Sequence, residues 1–130
     1  MPTVQEIERT LFELAARDLA QSWDNVGLLV GDRKQEVHRV LVALDVTEEV
    51  AVEADKTGAE LIVAHHPVLF IPAKDVTDRT LTGRVLLRLA ERGISSICMH
   101  TNLDAAPGGV NGALAARLGL EEVESLGDEG

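Results

Sequence analysis

The 130 residues suffice for one ordinary domain that buries about two thirds of its unfolded surface. Hydrophobic residues make up 45% of the chain, but Phe12, Trp23 and Phe70 are its only aromatics, so the core must rest on Leu, Val, Ile and Ala, and platforms for stacking nucleic-acid bases are nearly excluded. Twelve Lys and Arg against twenty-two Asp and Glu give a net charge of -10, which repels phosphate backbones and anionic bilayers, so neither nucleic acid nor membrane is expected as a partner. No apolar run approaches the roughly 20 residues that span a bilayer, and Met1–Glu8 has neither a basic nor an apolar leader region. Cys98 has no second cysteine to pair with, which fits a reducing compartment, and a cytoplasmic location is expected.

In chain order, Val4, Ile7, Leu11, Leu14, Ala15 and Leu19 recur at helical spacing, and Thr3 with Glu6 matches a capping box, which predicts a helix over Thr3–Ala20. Val26–Val30 is a short apolar run stopped by Gly31 and Asp32, and Arg39–Val46 (RVLVALDV) is a β-branched run expected to be buried on both faces; both read as strands. Thr47, Glu48 and Glu49 open a helix that Gly58 closes, and Glu60–Ala64 is another buried strand. The cycle repeats with a helix over about Asp78–Arg92 ended by Gly93, a strand over Ile94–Met99 and a last helix over Gly109–Leu118. The acidic end, Glu121–Gly130, is expected to fray. Strands alternating with helices imply an α/β domain: a mainly parallel sheet flanked by helices, with ligands bound where the strands end.

Three of the four histidines, His65, His66 and His100, lie just after predicted strands. Adjacent His65 and His66 point to opposite faces of a regular strand and share a cleft only if the strand ends there. Pro67, unable to donate to a ladder, supports that ending. Two neutral imidazoles with the Asp104 carboxylate make a nitrogen and oxygen set suited to Zn²⁺, Mn²⁺ or Fe²⁺, and the two histidines could divide between neighbouring ions. The structural alternative has one histidine closing the strand, the other solvated, and Asp104 holding the last helix or its turn. His100 lines the same cleft or is a hydrogen-bonded structural histidine, with Asn102 in the same loop.

Asp45 either accepts from a histidine N–H or caps the helix that follows. Asp24 either reaches the cleft or forms an Asx turn with Asn25 while Trp23 fills a core edge. Cys98 lies inside an apolar strand and reads as a structural thiol. In the glycine-rich run Pro107–Gly112, the N–H groups of Gly108 and Gly109 either receive an anion such as a substrate phosphate or serve only a tight turn; the lysine of a Walker loop is absent.

Trp23–Asp32 (WDNVGLLVGD), Leu41–Thr47 (LVALDVT), Ile62–Phe70 (IVAHHPVLF) and His100–Ala115 (HTNLDAAPGGVNGALA), in this order, resemble the GTP cyclohydrolase 1 type 2 family, also called the Nif-three-like family, over about Thr3 to Gly127. The resemblance implies the N-terminal half of a two-part fold, assembly into homo-oligomers, a centre of two divalent metal ions (Zn, Mn, Fe or similar), and metal-dependent hydrolysis of a small molecule, with GTP as the candidate. It implies that His65 binds one ion and that His66 and Asp104 bind the other, as ligands rather than bases. A histidine and a bridging glutamate would come from a second half that these 130 residues lack. Partial or no metal occupancy, and no activity, are therefore expected of this chain alone. The alternative is a non-catalytic metal-binding scaffold that acts through partners.

Overall fold

The computed structural model describes residues 1–126; Gly127–Gly130, the last part of the acidic end, lie outside the described residues, and Glu121–Leu126 are exposed and form neither helix nor strand. Thr3 opens α1 (Val4–Leu14) with a reciprocal cap: its hydroxyl oxygen accepts from the Glu6 N–H at 3.3 Å, and the Glu6 carboxylate accepts from the Thr3 N–H at 2.8 Å. The helix stops short of the expected Ala20. Buried Ala15 turns to extended backbone, and its carbonyl accepts from Asn102 Nδ2 at 2.9 Å; a 3₁₀ turn over Arg17–Leu19 follows. Helical periodicity continues past Leu14, but a bond to a residue far along the chain overrides it.

Four strands follow, β1 (Gly27–Val30), β2 (Val40–Ala43), β3 (Leu61–Ala64) and β4 (Ser95–Cys98), in the spatial order β1-β4-β3-β2. β2, β3 and β4 run parallel, and β1 lies antiparallel on β4. The parallel strands are linked through α2 (Glu48–Thr57) and α3 (Leu81–Arg92), each opened by a threonine cap, Thr47 and Thr80, and each closed by a left-handed glycine, Gly58 and Gly93. α4 (Thr101–Ala105), in a stretch expected to be loop, and α5 (Val110–Arg117) complete the chain.

The result is a mixed α/β sheet with helices on both faces. α2 and α3 cover one face around Ala51, Ala54, Ile62, Val85 and Leu89. α1 covers the other around Val4, Leu61, Ile97 and Met99. The expectation that Arg39–Val46 is buried on both faces is corrected. β2 is the sheet edge, and the α1 side packs on β1, β4 and β3, so Val42 and Leu44 stay 75% and 61% exposed while Leu41 packs under α2. A β-branched run reports strand, but the same residues serve a central or an edge position. No helix among the described residues is long and apolar enough to cross a membrane.

Two helical glycines separate packing from propensity. A Cβ on Gly83 in α3 would stand 1.9 Å from the Thr77 carbonyl oxygen, whereas one on Gly112 in α5 meets nothing within 4 Å. Gly83→Ala is expected to lower the denaturant-unfolding free energy by about 1–3 kcal/mol. Gly112→Ala, with the space open, is expected to raise it by up to about 1 kcal/mol.

Candidate metal centre

Parallel register builds the site. Ala43, Ala64 and Cys98 are neighbours across β2, β3 and β4. Two residues further along each strand come Asp45, His66 and His100, carried past the strand ends on the same face. The ladder continues that far, since the His66 N–H donates to the Leu44 carbonyl at 3.0 Å and the Met99 N–H to the Ala64 carbonyl at 3.1 Å. His65 starts on the opposite face, but β3 ends at Ala64, and its ring comes within 5.1 Å of the His66 ring, centre to centre. The His100 ring lies 5.3 Å from that of His65 and 5.6 Å from that of His66.

Each of the three imidazoles is held through Nδ1. His65 Nδ1 lies 2.8 Å from the Met99 carbonyl oxygen, His66 Nδ1 2.7 Å from Asp45 Oδ1, and His100 Nδ1 2.9 Å from Asp24 Oδ1. These partners only accept, so Nδ1 carries the hydrogen and, in the neutral ring, Nε2 carries the lone pair. One ligand atom from each ring lies within 4.8 Å of the other two. Among the described residues, Nε2 of His66 and Nε2 of His100 form no hydrogen bond. His65 Nε2 faces Asp104 Oδ1 at 3.3 Å. A lone pair opposite a carboxylate is repulsive unless a proton or a cation lies between them. The separation is also the one that two ligands about 2.0–2.1 Å from a tetrahedral ion adopt, roughly 3.3 Å. The donors, three nitrogens and one carboxylate, fit a borderline divalent ion.

Asp24 is the most constrained of the supporting groups, its side chain 0% exposed. One oxygen accepts from the Asn25 N–H at 2.8 Å and from His100; the other accepts from the Thr101 N–H at 3.0 Å and from the Thr101 hydroxyl. Burial pushes its carboxyl up, but the bonds from His100, Thr101 and Asn25 outweigh burial and hold it down at about 2. Beneath the cluster, Cys98 Sγ donates to the His65 carbonyl at 3.1 Å, and burial, aided by the Asp24 charge, pushes the thiol up to about 12.

The other candidates fall around this centre. Asn102 is fully buried and faces away, accepting from the His100 N–H at 2.9 Å and donating to Ala15, so it fixes the backbone of the site. Trp23 does not fill a core edge: it is 61% exposed and meets Phe70 edge-on at 6.0 Å, because Asp24 rather than its neighbour turns inward. Asn25 donates to the Leu69 carbonyl at 2.5 Å. The Gly109 N–H donates to the Ala106 carbonyl at 2.9 Å, and a Cβ on Gly109 would strike the Leu103 oxygen at 1.9 Å, so this glycine serves a turn and a close approach. Gly108 has the left-handed φ of +70° that the turn needs. Sequence reasoning missed Thr101 and the Met99 carbonyl; a backbone acceptor leaves no residue-type signal. Open grooves of about 260 Å³ and 390 Å³ flank the centre, past His66 and Asp45 and past Thr101 and Asp104 respectively. A further groove of about 460 Å³ lies at the opposite end of β4, where Ser95 and Gln35 bond to each other and to backbone.

Two measurements check these supports. The folded Asp24 carboxyl titrates near 2, below its ordinary 3.8, so its stabilisation is complete above about pH 4 and is lost as the pH falls from about 4 to about 2. Acid unfolding of the metal-free chain should show a loss of about 2 kcal/mol across that window, and Asp24→Ala should flatten it. At pH 8 the folded chain should release no aromatic thiolate from a disulfide thiol reagent on the time scale of minutes, whereas the chain in denaturant reacts fully at Cys98.

Comparison with known proteins agrees with this architecture. Residues 2–130 match the family model described as Duf34/NIF3 (NGG1p interacting factor 3). The chain is 41% identical over 119 residues to a GTP cyclohydrolase 1 type 2 homolog of Clostridium perfringens, covering 92% of this chain and 45% of that protein. It is 43% identical over 117 residues to one of Halalkalibacterium halodurans, covering 89% and 32%. Among solved structures, a Bacillus cereus protein related to NIF3 superposes with a TM-score of 0.89 at 40% identity, over 93% of this chain and 33% of that one. Reduced HcgD from Methanocaldococcus jannaschii superposes at 0.90 and 35% identity, over 99% and 52%. The chain thus spans between about a third and a half of the length of these relatives, and by its whole-length match it belongs to the DUF34/NIF3 family.

Proposed function

We propose that the chain binds divalent metal ions through His65, His66 and Asp104, and that the protein it serves is a metal-dependent hydrolase of a nucleotide or similar small molecule. The observation that carries the reading is His65. Its Nδ1 is committed to the Met99 carbonyl, and its Nε2 stands 3.3 Å from the Asp104 carboxylate, a pairing that a cation between them satisfies. His66, oriented by Asp45, brings a second imidazole to the same point.

Bound ions would supply Lewis acidity and an acidified water to a hydrolysis. The chain's own residues do the rest. Met99, Asp45 and Asp24 hold a hydrogen on Nδ1 of each imidazole, so in the neutral ring Nε2 is the nitrogen that offers a lone pair to a ligand. The two grooves beside the cluster give a small molecule access from either side. The names of the curated relatives point to GTP as the first substrate to try.

Calorimetric titration of the chain with Zn²⁺ or Mn²⁺ should show binding, and His65→Ala should weaken it by more than the about 10–100-fold typical of residues that only orient a ligand. No heat of binding up to millimolar ion would overturn the metal reading. Turnover is tested in a chimaera that joins residues 1–126 to the remaining length of the Clostridium perfringens relative. Formate released from GTP, and abolished by His65→Ala or Asp104→Ala, supports hydrolysis; a metal-loaded chimaera that releases none from GTP and consumes no other nucleotide is a scaffold.

A further inference from the structure

Resting on the reading that the substrate is a nucleotide or similar small molecule, we propose that Trp23 and Phe70 form the surface that takes the substrate's flat nitrogen heterocycle, the base of a nucleoside, and so select it.

The three aromatics of the chain are too few to track a strand of nucleic acid, but a single base needs a single wall. Two of the three stand together beside the imidazoles. The Trp23 and Phe70 rings meet at 6.0 Å and 87°, and Phe70 meets His100 at 6.3 Å and 82°. A perpendicular contact uses the edge of one ring and one face of the other, so each ring keeps at least one face free of it. Both rings are left in water, Trp23 61% and Phe70 48% exposed, although aromatic side chains have the most to gain from cover.

Firm anchoring is the second support. Trp23 lies in a turn closed by the Asp24 N–H, which donates to the Gln21 carbonyl at 3.0 Å, and the residue after it is the enclosed Asp24 itself. Asn25 Nδ2 donates to the Leu69 carbonyl, which ties this turn to the loop carrying Phe70. The two rings are therefore set in place before a ligand arrives, and little freedom is lost on binding.

The surroundings choose the ligand. The groove of about 390 Å³ begins at Gln21, in the same turn as Trp23, and its wall is polar at Thr101, Asp104, Asn111 and Ser125. Aromatic faces beside a polar wall fit a ring that is flat and carries nitrogen and oxygen at its edge, and not a hydrocarbon chain. Among the described residues, no Lys or Arg lines either groove flanking the centre. The phosphates of a nucleotide thus meet no cationic side chain there, and the ring is the part that this surface can grip.

Trp23 is the only tryptophan and the chain has no tyrosine, so its fluorescence reports on the surface directly. In the 130-residue chain, guanosine should quench it saturably and GTP to the same depth, while ribose 5-phosphate and inorganic tripolyphosphate, which lack the ring, leave it unchanged. Phe70→Leu, which keeps the tryptophan in place, should weaken guanosine binding about fivefold or more. By equilibrium dialysis, Trp23→Leu should lose at least as much, and Trp23→Phe, which keeps an aromatic face, should retain most of the affinity. Quenching that rises linearly with guanosine, as for free indole, or equal affinity in both leucine variants would overturn the proposal. So would an emission that shifts to the blue as the chain is concentrated and ignores guanosine, since a second copy then covers the rings. Zn²⁺ titration of the same samples separates the two readings. A chain that binds Zn²⁺ but not guanosine loses the aromatic surface alone, and one that binds guanosine but no ion loses the metal reading alone. Circular dichroism of each variant confirms that a loss belongs to the surface and not to unfolding.

Discussion

A carboxylate taken wholly out of water must be met by donors on every side, and Asp24 places that demand on the structure. Its donors come from two distant stretches, its own turn at Asn25 and the start of α4 at His100 and Thr101, so meeting it joins the segment leading into β1 to the end of β4. The antiparallel pairing of β1 with β4 sits directly beside this junction, with Gly27 opposite Cys98. Thr101 extends it further by accepting from the Gln21 N–H at 2.9 Å. The group that aims His100 is also a clasp closing the sheet, which is why its ionisation bears on stability as well as on the site.

Around that clasp, the parallel register does what no single loop could. Three adjacent strands running the same way end side by side, and residues at equal offsets beyond a registered row reach the same level. Asp45, His66 and His100 occupy one such row, and the Asp45–His66 bond is a contact between neighbours in it. An antiparallel arrangement of the same sequences would have sent the middle segment to the far end of the sheet. The strand termination at Ala64 then matters as much as the register, because it lets His65 leave its own face and join the row.

Much of this was legible in the residues, and the limits have physical causes. Helix starts at Thr3 and Thr47 and the helix end at Gly58 were readable because caps are local chemistry. The stop at Leu14 was not, because it depends on Asn102 taking the carbonyl of Ala15. The exposure of Val42 was not, because strand composition does not record which strand lies at an edge. In the site, the clustering of His65, His66 and His100 follows from strand ends in an α/β sheet, which periodicity can supply. The pairing of Asp24 with His100 and Thr101, in addition to its own turn at Asn25, needed the β1–β4 contact, and the exposure of Trp23 has the same cause: of two adjacent residues, the sequence alone does not say which turns inward.

The bare face of β2 bears on the centre through His65. Val42, Val63 and Leu14 line an apolar groove of about 180 Å³ together with His65. An imidazole with an apolar flank and a carboxylate on its free nitrogen sits where the local dielectric decides how strongly the two groups interact. Any surface laid over Val42 would also displace water from this flank. It would strengthen the attraction of His65 and Asp104 for a cation and raise the cost of leaving that pair without one. Packing at the sheet edge and the electrostatics of the His65–Asp104 pair are therefore not separable properties of this fold: the side chains that lack cover on the α1 face are the ones that adjoin that imidazole.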